Sequence, residues 1–130
     1  ERQLQLATTA YETALELAKN KSARRSEASI LFDLGTIALK YRDFPQSRRN
    51  YHQTLEIELE LGDRYSQAST YHQLGRVAQE LREYEQAQQH YQTALDILIE
   101  FGDRYSQAST YHNLGAVAEA LREYEQARLH

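Results

Sequence analysis

Histidine is the residue type in this 130-residue chain that is best suited to metal binding and acid–base chemistry, and five are present. His72 and His112 stand forty positions apart, at matching places in a repeated segment. A zinc site needs three or four ligands that converge at about 2 Å. Neither histidine has a second histidine or a glutamate three or four positions away, and the chain has no cysteine. We therefore predict no metal site and no cofactor, with both histidines as polar residues that line a groove.

Serine and glycine are the next candidates for chemistry. Nucleophilic catalysis would need a base held beside a serine or cysteine. Ser66 and Ser69 recur forty residues later with their whole neighbourhood, which is typical of architecture rather than of an active site. The five glycines stand singly, and none has the spacing of a phosphate-binding loop. We therefore predict that the protein is not an enzyme.

Ten tyrosines could in principle form a stacking platform for nucleic acid bases. Binding of that kind also needs a basic surface, whereas this chain has a net charge of −4 with acids and bases interspersed. Aromatic residues at helical spacing usually belong to the core. We expect core positions for seven of the tyrosines: Tyr11, Tyr51, Tyr71, Tyr84, Tyr91, Tyr111 and Tyr124.

No run of the sequence approaches the roughly 18 apolar residues that a membrane span needs. The absence of cysteine fits a reducing compartment. The predicted location is therefore the cytoplasm, with neither membrane nor nucleic acid as a partner.

A period of 40 residues organises the whole chain. Residues 61–75 and 101–115 differ at only two of fifteen positions, and 61–90 matches 101–130 at 23 of 30. Residues 21–60 match 61–100 at 13 of 40. A fixed period between 20 and 50 residues is the signature of a stacked repeat protein.

Each unit is predicted to contain two helices, which we call helix A and helix B. Gly62 can end one helix in the left-handed conformation, and the Asp63 carboxylate can accept the free N–H groups at the start of the next. Pro45 suits the first turn of a helix B. The predicted A helices are 24–40, 64–80 and 104–120, and the predicted turns to helix B are 41–43, 81–83 and 121–123.

Glycine also recurs inside each predicted helix A, at Gly35, Gly75 and Gly115. A glycine in the middle of a helix costs about 1 kcal/mol relative to alanine. We interpret these glycines as allowing helix B to approach closely.

The pattern Tyr71-x2-Leu74-Gly75-x2-Ala78, followed by Ala87-x3-Tyr91, resembles the tetratricopeptide repeat, a helix–turn–helix unit. The 40-residue period is similar to arrays in polarity scaffolds, kinesin light chains and bacterial signalling proteins with nucleotide-binding switch domains. The resemblance implies an all-α fold, with antiparallel helix pairs stacked into a right-handed superhelix. It also implies one array over 1–130. Its expected parts are helix B of a preceding repeat (1–21), two repeats (22–61 and 62–101) and an incomplete repeat (102–130).

The near-identical copies differ where a partner could be recognised. Gln73, Arg76, Gln79 and Glu80 are replaced forty residues later, and their spacing places them on one helical face. In the family that the chain resembles, helix A lines the concave surface and contacts peptides. The partner-binding residues implied by that resemblance are Phe32, Asp33, Thr36, Leu39, Lys40, His72, Gln73, Arg76, Gln79, Glu80, His112, Asn113, Ala116 and Glu119.

Particular roles follow from the chemistry of these side chains. The amides of Gln73 and Asn113 could pair with a peptide backbone, because an amide both donates and accepts hydrogen bonds. Arg76 could hold an acidic side chain. Phe32 and Leu39, seven positions apart, are predicted to form a small apolar anchor pocket.

The predicted function is therefore a protein–protein interaction module that binds a peptide or partner helix along the A helices. One alternative is a structural or sensor segment of a larger switch protein that packs on its own domains. RNA binding by helical repeats is a second alternative, disfavoured by the net charge. Because no polar capping repeat is visible, head-to-tail self-association through the open ends is a further expectation.

Overall fold

The computed structural model describes residues 2–17 and 21–129; the side chains of residues 7, 11, 12, 14–17 and 21 lie outside the description. These ranges form six helices and no strands: α1 (Arg2–Leu17), α2 (Lys21–Lys40), α3 (Phe44–Leu61), α4 (Arg64–Glu80), α5 (Tyr84–Glu100) and α6 (Arg104–Leu129). From α2 onward each helix packs on the next, and α2 also contacts α4. The all-α stack of antiparallel helices is confirmed. No helix in these ranges is both long enough and apolar enough to cross a membrane.

The boundaries between α3 and α4 and between α5 and α6 follow from two residues each. Gly62 and Gly102 both adopt φ 68°, the left-handed conformation that ends a helix without the steric penalty of a side chain. The Asp63 carboxylate then accepts a hydrogen bond from the Ser66 N–H at 3.3 Å, and Asp103 accepts one from Ser106 at 3.0 Å. The predicted glycine stop and aspartate cap are confirmed at both places.

The turns from helix A to helix B use arginine in the left-handed conformation. Arg42 and Arg82 both have φ 62°. The next residue closes each turn, since the Asp43 N–H donates to the Ala38 carbonyl and the Glu83 N–H to the Ala78 carbonyl, each at 2.8 Å. A side chain in this conformation is strained by about 1 kcal/mol, so the packing of helix B must hold the turn closed.

The third predicted turn, at 121–123, is wrong, because α6 continues as one helix from Arg104 to Leu129. Residues 81–87 and 121–127 have the same sequence, LREYEQA. After the first copy the chain forms α5, which buries Ala87 and Tyr91 completely. After the second copy the described residues do not bury such a face, and Tyr124 is 58% exposed. Uninterrupted helical hydrogen bonding is then favoured over a strained turn.

Glycine inside helix A makes room for a tyrosine ring. A Cβ atom on Gly35 would lie 2.8 Å from Tyr51 Cε1, and one on Gly75 would lie 2.7 Å from Tyr91 Cε1. Close approach of helix B is confirmed at these two glycines. At Gly115 the prediction is wrong, because nothing lies within 4 Å of an added Cβ.

The predicted tyrosine core is confirmed for the two rings that face these glycines and wrong for two others. Tyr51 and Tyr91 are fully buried, and Tyr71 and Tyr84 are partly buried against the core. Tyr111 and Tyr124 are 54% and 58% exposed, because no helix B within the described residues covers that face of α6. Tyr11 lies outside the described side chains.

Candidate partner-binding groove

Two pockets open side by side between successive A helices. One, of about 510 Å³, lies between α2 and α4, and the other, of about 270 Å³, lies between α4 and α6. We call them the α2–α4 pocket and the α4–α6 pocket, and together the groove. Phe32, Tyr65 and Ser69 line both pockets, so the two form one continuous feature.

The two pockets are built from equivalent positions of the 40-residue period. The walls are nearly the same in both, but the groups that determine polarity differ. In the α2–α4 pocket Asp33 and Glu58 stand where the α4–α6 pocket has Gln73 and Leu98. The remaining equivalent pairs are Ala28/Ala68, Ser29/Ser69, Phe32/His72, Tyr65/Tyr105, Ser66/Ser106 and Ser69/Ser109. The repeat thus places two pockets at equivalent positions, with different volumes and different chemistry.

The structure places four of the fourteen predicted site residues in these pockets: Phe32, Asp33, His72 and Gln73. The others do not line either pocket. Most of these remain on the exposed or half-exposed surface of the A helices: Thr36, Lys40, Arg76, Gln79, Glu80, His112, Asn113, Ala116 and Glu119.

Leu39 is the exception, and the predicted anchor pocket between it and Phe32 is wrong. Leu39 is only 9% exposed and belongs to the core cluster of Tyr51, Leu74 and Val77. It is covered because α4 stacks on α2 at this end. Phe32 packs edge-on against Tyr51 with ring centroids 5.4 Å apart.

Hydroxyl groups of buried tyrosines reach the A helices and hold two of the predicted glutamines. Gln73 Nε2 donates to the Tyr51 hydroxyl at 2.9 Å, while Gln73 Oε1 accepts from Arg76 Nη1 at 3.2 Å. The Tyr91 hydroxyl donates to Gln79 Oε1 at 2.8 Å. Burial raises the pKa of Tyr91 to about 12, so its proton stays in place. A peptide backbone that pairs with Gln73 must therefore replace contacts that already exist.

His72 bridges two A helices. Asn113 Nδ2 lies 3.0 Å from His72 Nε2, and Thr110 Oγ1 lies 3.1 Å from His72 Nδ1. Because the Asn113 amide nitrogen can only donate, Nε2 accepts and Nδ1–H donates. Burial, together with the charge of Arg76, lowers the pKa of His72, which favours this neutral form. His72 therefore presents an uncharged ring to the α4–α6 pocket.

Sequence reasoning missed Glu58, which lies on α3 at the floor of the α2–α4 pocket. Only 7% of its surface is exposed, and Thr70 Oγ1 donates to its Oε1 at 2.7 Å. Burial, and secondarily the charge of Asp63, raises the pKa of Glu58 to about 7. The signal was present in the repeat, since the equivalent position forty residues later is an apolar residue, Leu98.

Ion pairs join successive units outside the pockets. Arg24 pairs with Glu60 at 3.1 Å, and the equivalent Arg64 pairs with Glu100 at 3.2 Å. Glu80, a predicted site residue, lies 3.5 Å from Arg42. Exposed pairs of this kind contribute little to stability. As for metal ligands, residues 2–17 and 21–129 contain no group of three or more His, Cys, Asp or Glu side chains placed to hold an ion.

Comparison with known proteins agrees with this geometry. The Tetratricopeptide repeat family profile matches residues 66–130, half of the chain. The chain belongs to the tetratricopeptide repeat family. The predicted family and its stacked-helix fold are thus confirmed.

One solved structure that the tetratricopeptide repeat chain resembles is the crystal structure of BtubC (BKLC) from P. vanneervenii. The TM-score is 0.71 and the sequence identity is 26%, over 92% of this chain and 50% of that one. The chain therefore spans about half the length of that protein. A comparison with curated proteins finds no match.

Proposed function

We propose that this tetratricopeptide repeat array is a protein–protein interaction module, and that it binds an extended peptide or a partner helix in the groove. The observation that carries the proposal is the pair of adjacent pockets, built from equivalent positions and different in volume and chemistry. Two such pockets in line suit a linear ligand whose successive side chains differ. Family membership supports the same class of function, because proteins of this family typically bind other proteins.

The groove is suited to binding because its walls are already held in place. The Gly35–Tyr51 and Gly75–Tyr91 contacts fix the distance between helices, and the buried tyrosine hydroxyls orient Gln73 and Gln79. A site that needs little ordering on binding loses less conformational entropy. The proposal treats residues 1–130 as a single array whose repeats begin at residues 22, 62 and 102.

An exposed apolar face on α2 favours a second candidate, a structural segment that packs on other parts of a larger protein. Ile30, Leu34 and Ile37 are exposed at spacings of four and three, so they share one face of the helix. The equivalent face of α4 (Thr70, Leu74 and Val77) is buried against α3. In this candidate the α2 face, and not the groove, makes the contact.

Selection from a phage-displayed library of random peptides tests the groove. Selected peptides are then measured against the wild type and two variants by fluorescence anisotropy. Ser69→Arg places a long side chain in both pockets, and Gln89→Arg introduces the same side chain at an exposed position of α5 that lines neither pocket.

We expect Ser69→Arg to weaken binding at least tenfold and Gln89→Arg to leave it unchanged. Equal binding by all three proteins would overturn the groove assignment. Loss of binding in a third variant, Ile37→Asp, but not in Ser69→Arg would favour the α2 face instead.

A further inference from the structure

The carboxylate of Glu58 is open to the α2–α4 pocket on one side. Its Oε1 accepts from Thr70 Oγ1, and no other side-chain hydrogen bond reaches it within the described chain. Among the described residues, every side-chain oxygen or nitrogen that is fully enclosed has a hydrogen-bond partner. Oε2 of Glu58 has no such partner within those residues, so it is not fully enclosed. Oε2 therefore faces the pocket and not the closed core, so a group that enters the pocket can reach it.

Glu58 is not required by the architecture. The equivalent Leu98 occupies the same place in the next unit and is 5% exposed, so an apolar side chain fits there. A carboxylate that is buried without a counter-charge is destabilising. No lysine, arginine or histidine nitrogen lies within 4 Å of Glu58 among the residues that the structure describes. Within the described residues, Glu58 is therefore a buried acid on the pocket floor without a basic partner.

The rest of the α2–α4 pocket also suits a cation. Asp33 and Asp63 line it, while Arg25 is the one cationic residue among its described lining residues. When Glu58 is ionised, the pocket lining contains three carboxylates (Glu58, Asp33 and Asp63) and one guanidinium, that of Arg25. Phe32 adds an aromatic wall, against which the aliphatic part of a long basic side chain can pack.

We propose that the α2–α4 pocket binds an arginine or lysine side chain of the partner, whose cationic head pairs with Oε2 of Glu58 on the pocket floor. This inference rests on the proposed function of the groove and adds the chemistry of one ligand side chain. The neutral α4–α6 pocket, with Leu98, Gln73 and His72 at the corresponding places, has no such preference and serves as the internal control.

The state of Glu58 links this binding to pH. In the unliganded protein the pKa of Glu58 is raised to about 7. A cation pairs with the ionised form and lowers that pKa, so binding below pH 7 must release a proton. Affinity for a cationic side chain therefore rises as pH increases from 6 to 8. The other charged groups that line the pocket are Asp33, Asp63 and Arg25.

The test uses two pentapeptides, acetyl-Gly-Gly-Arg-Gly-Gly-amide and the same peptide with citrulline, the neutral isostere of arginine. Binding is followed by NMR titration of the ¹³C-labelled side-chain carboxyl of Glu58 and of backbone amides in both pockets. We expect the arginine peptide to give saturable shifts at Glu58 and the α2–α4 pocket, with the citrulline peptide at least tenfold weaker.

Two variants separate charge from shape. Glu58→Gln retains an acceptor for Thr70, and Glu58→Leu reproduces the side chain of the next unit; thermal melting checks that both are folded. Both are expected to lose the preference for arginine over citrulline, as read from the α2–α4 amides. In the wild type, affinity for the arginine peptide should be several-fold higher at pH 8 than at pH 6.

Equal binding of the two peptides, unchanged arginine preference in Glu58→Gln, or shifts confined to the α4–α6 pocket would each overturn the proposal. The phage selection distinguishes this failure from failure of the groove itself. Selected peptides that bind in the groove without a basic residue would leave the proposed function standing and refute the cationic pocket.

Discussion

The segment 62–101 lies between two neighbours that resemble it in different ways. The following segment matches its first 29 residues at 23 positions, yet α6 passes through 121–123 without a turn, and Gly115 and Tyr111 are left uncovered. The preceding segment matches at only 13 of 40 positions and reproduces the contacts closely. Its glycine and tyrosine, Gly35 and Tyr51, meet as Gly75 and Tyr91 do.

The comparison shows that a few contact positions, together with a helix B to occupy them, matter more than overall identity. The turn at 81–83 is strained at Arg82 and persists because α5 buries Tyr91 beside Gly75. The same letters at 121–127 lack such a helix within the described chain, and they remain helical. Four predictions test this comparison, in order of decreasing effect on stability.

The largest contrast is expected for leucine at equivalent glycines. Gly75→Leu would drive a side chain into the Tyr91 ring, and we expect a loss of about 3 kcal/mol from overpacking. Gly115→Leu meets no atom within 4 Å and replaces a helical glycine, so we expect a gain of about 0.5 to 1 kcal/mol. Urea denaturation followed by circular dichroism measures both. Similar shifts for the two variants would contradict the helix packing described here.

The substitution Glu58→Leu gives position 58 the residue found at the equivalent position 98, and so tests what the carboxylate does to stability. The pKa of Glu58 is near 4.5 unfolded and about 7 folded, so the folded protein holds its proton more tightly. Wild-type stability should therefore fall by about 2 to 3 kcal/mol as pH rises from 4.5 to 7, and then level off. The leucine variant should lack this fall and be more stable than wild type at pH 8. Glu56→Leu, at an exposed position on α3, is the control and should retain the wild-type pH dependence in urea melts.

Replacing the equivalent residues Arg82 and Arg122 with glycine should change the stability of the protein in opposite directions. Arg82→Gly relieves the left-handed conformation in a turn, and we expect a gain of about 0.5 to 1 kcal/mol. Arg122→Gly places glycine inside α6, where we expect a loss of about 1 kcal/mol. Thermal melting curves measure the difference. Stabilisation by both changes would indicate that 121–123 also forms a turn.

The smallest effect on stability is expected for Arg76→Glu. Arg76 is exposed, and within the part of the chain that the structure describes its side chain donates to Gln73 alone, so we expect a change within about 0.5 kcal/mol. Binding of the selected groove peptides should nevertheless weaken. The control is Arg49→Glu, the same change at an exposed position of α3 that lines neither pocket and where the arginine also donates to a neighbouring glutamine, Gln46. A large fall in melting temperature, or unchanged binding, would remove Arg76 from the partner surface.

Features set by neighbours in the chain were predictable. Gly62 and Asp63 act on backbone groups within one helical turn, so their residue types are enough to predict the boundary between α3 and α4. The 40-residue period and the Gly35 and Gly75 positions predicted where helix B approaches. Leu39 was misjudged because periodicity along α2 places it near Phe32 but does not show that α4 covers it.

Glu58 illustrates the opposite limit. A glutamate in the sequence suggests a side chain in solvent. The stacking of α4 on α3 buries the Glu58 side chain beside Thr70. Gln73 and Gln79 likewise required the structure, since hydroxyls from tyrosines on other helices hold them.

Short-range chemistry therefore accounts for the helices, their caps and the repeat, because these depend on residues within a few positions of one another. Tertiary packing decided whether LREYEQA turns or continues, whether a tyrosine is buried, and which carboxylate faces a pocket. Each of those outcomes depends on how one helix packs against another, and not only on residues within one turn of each other.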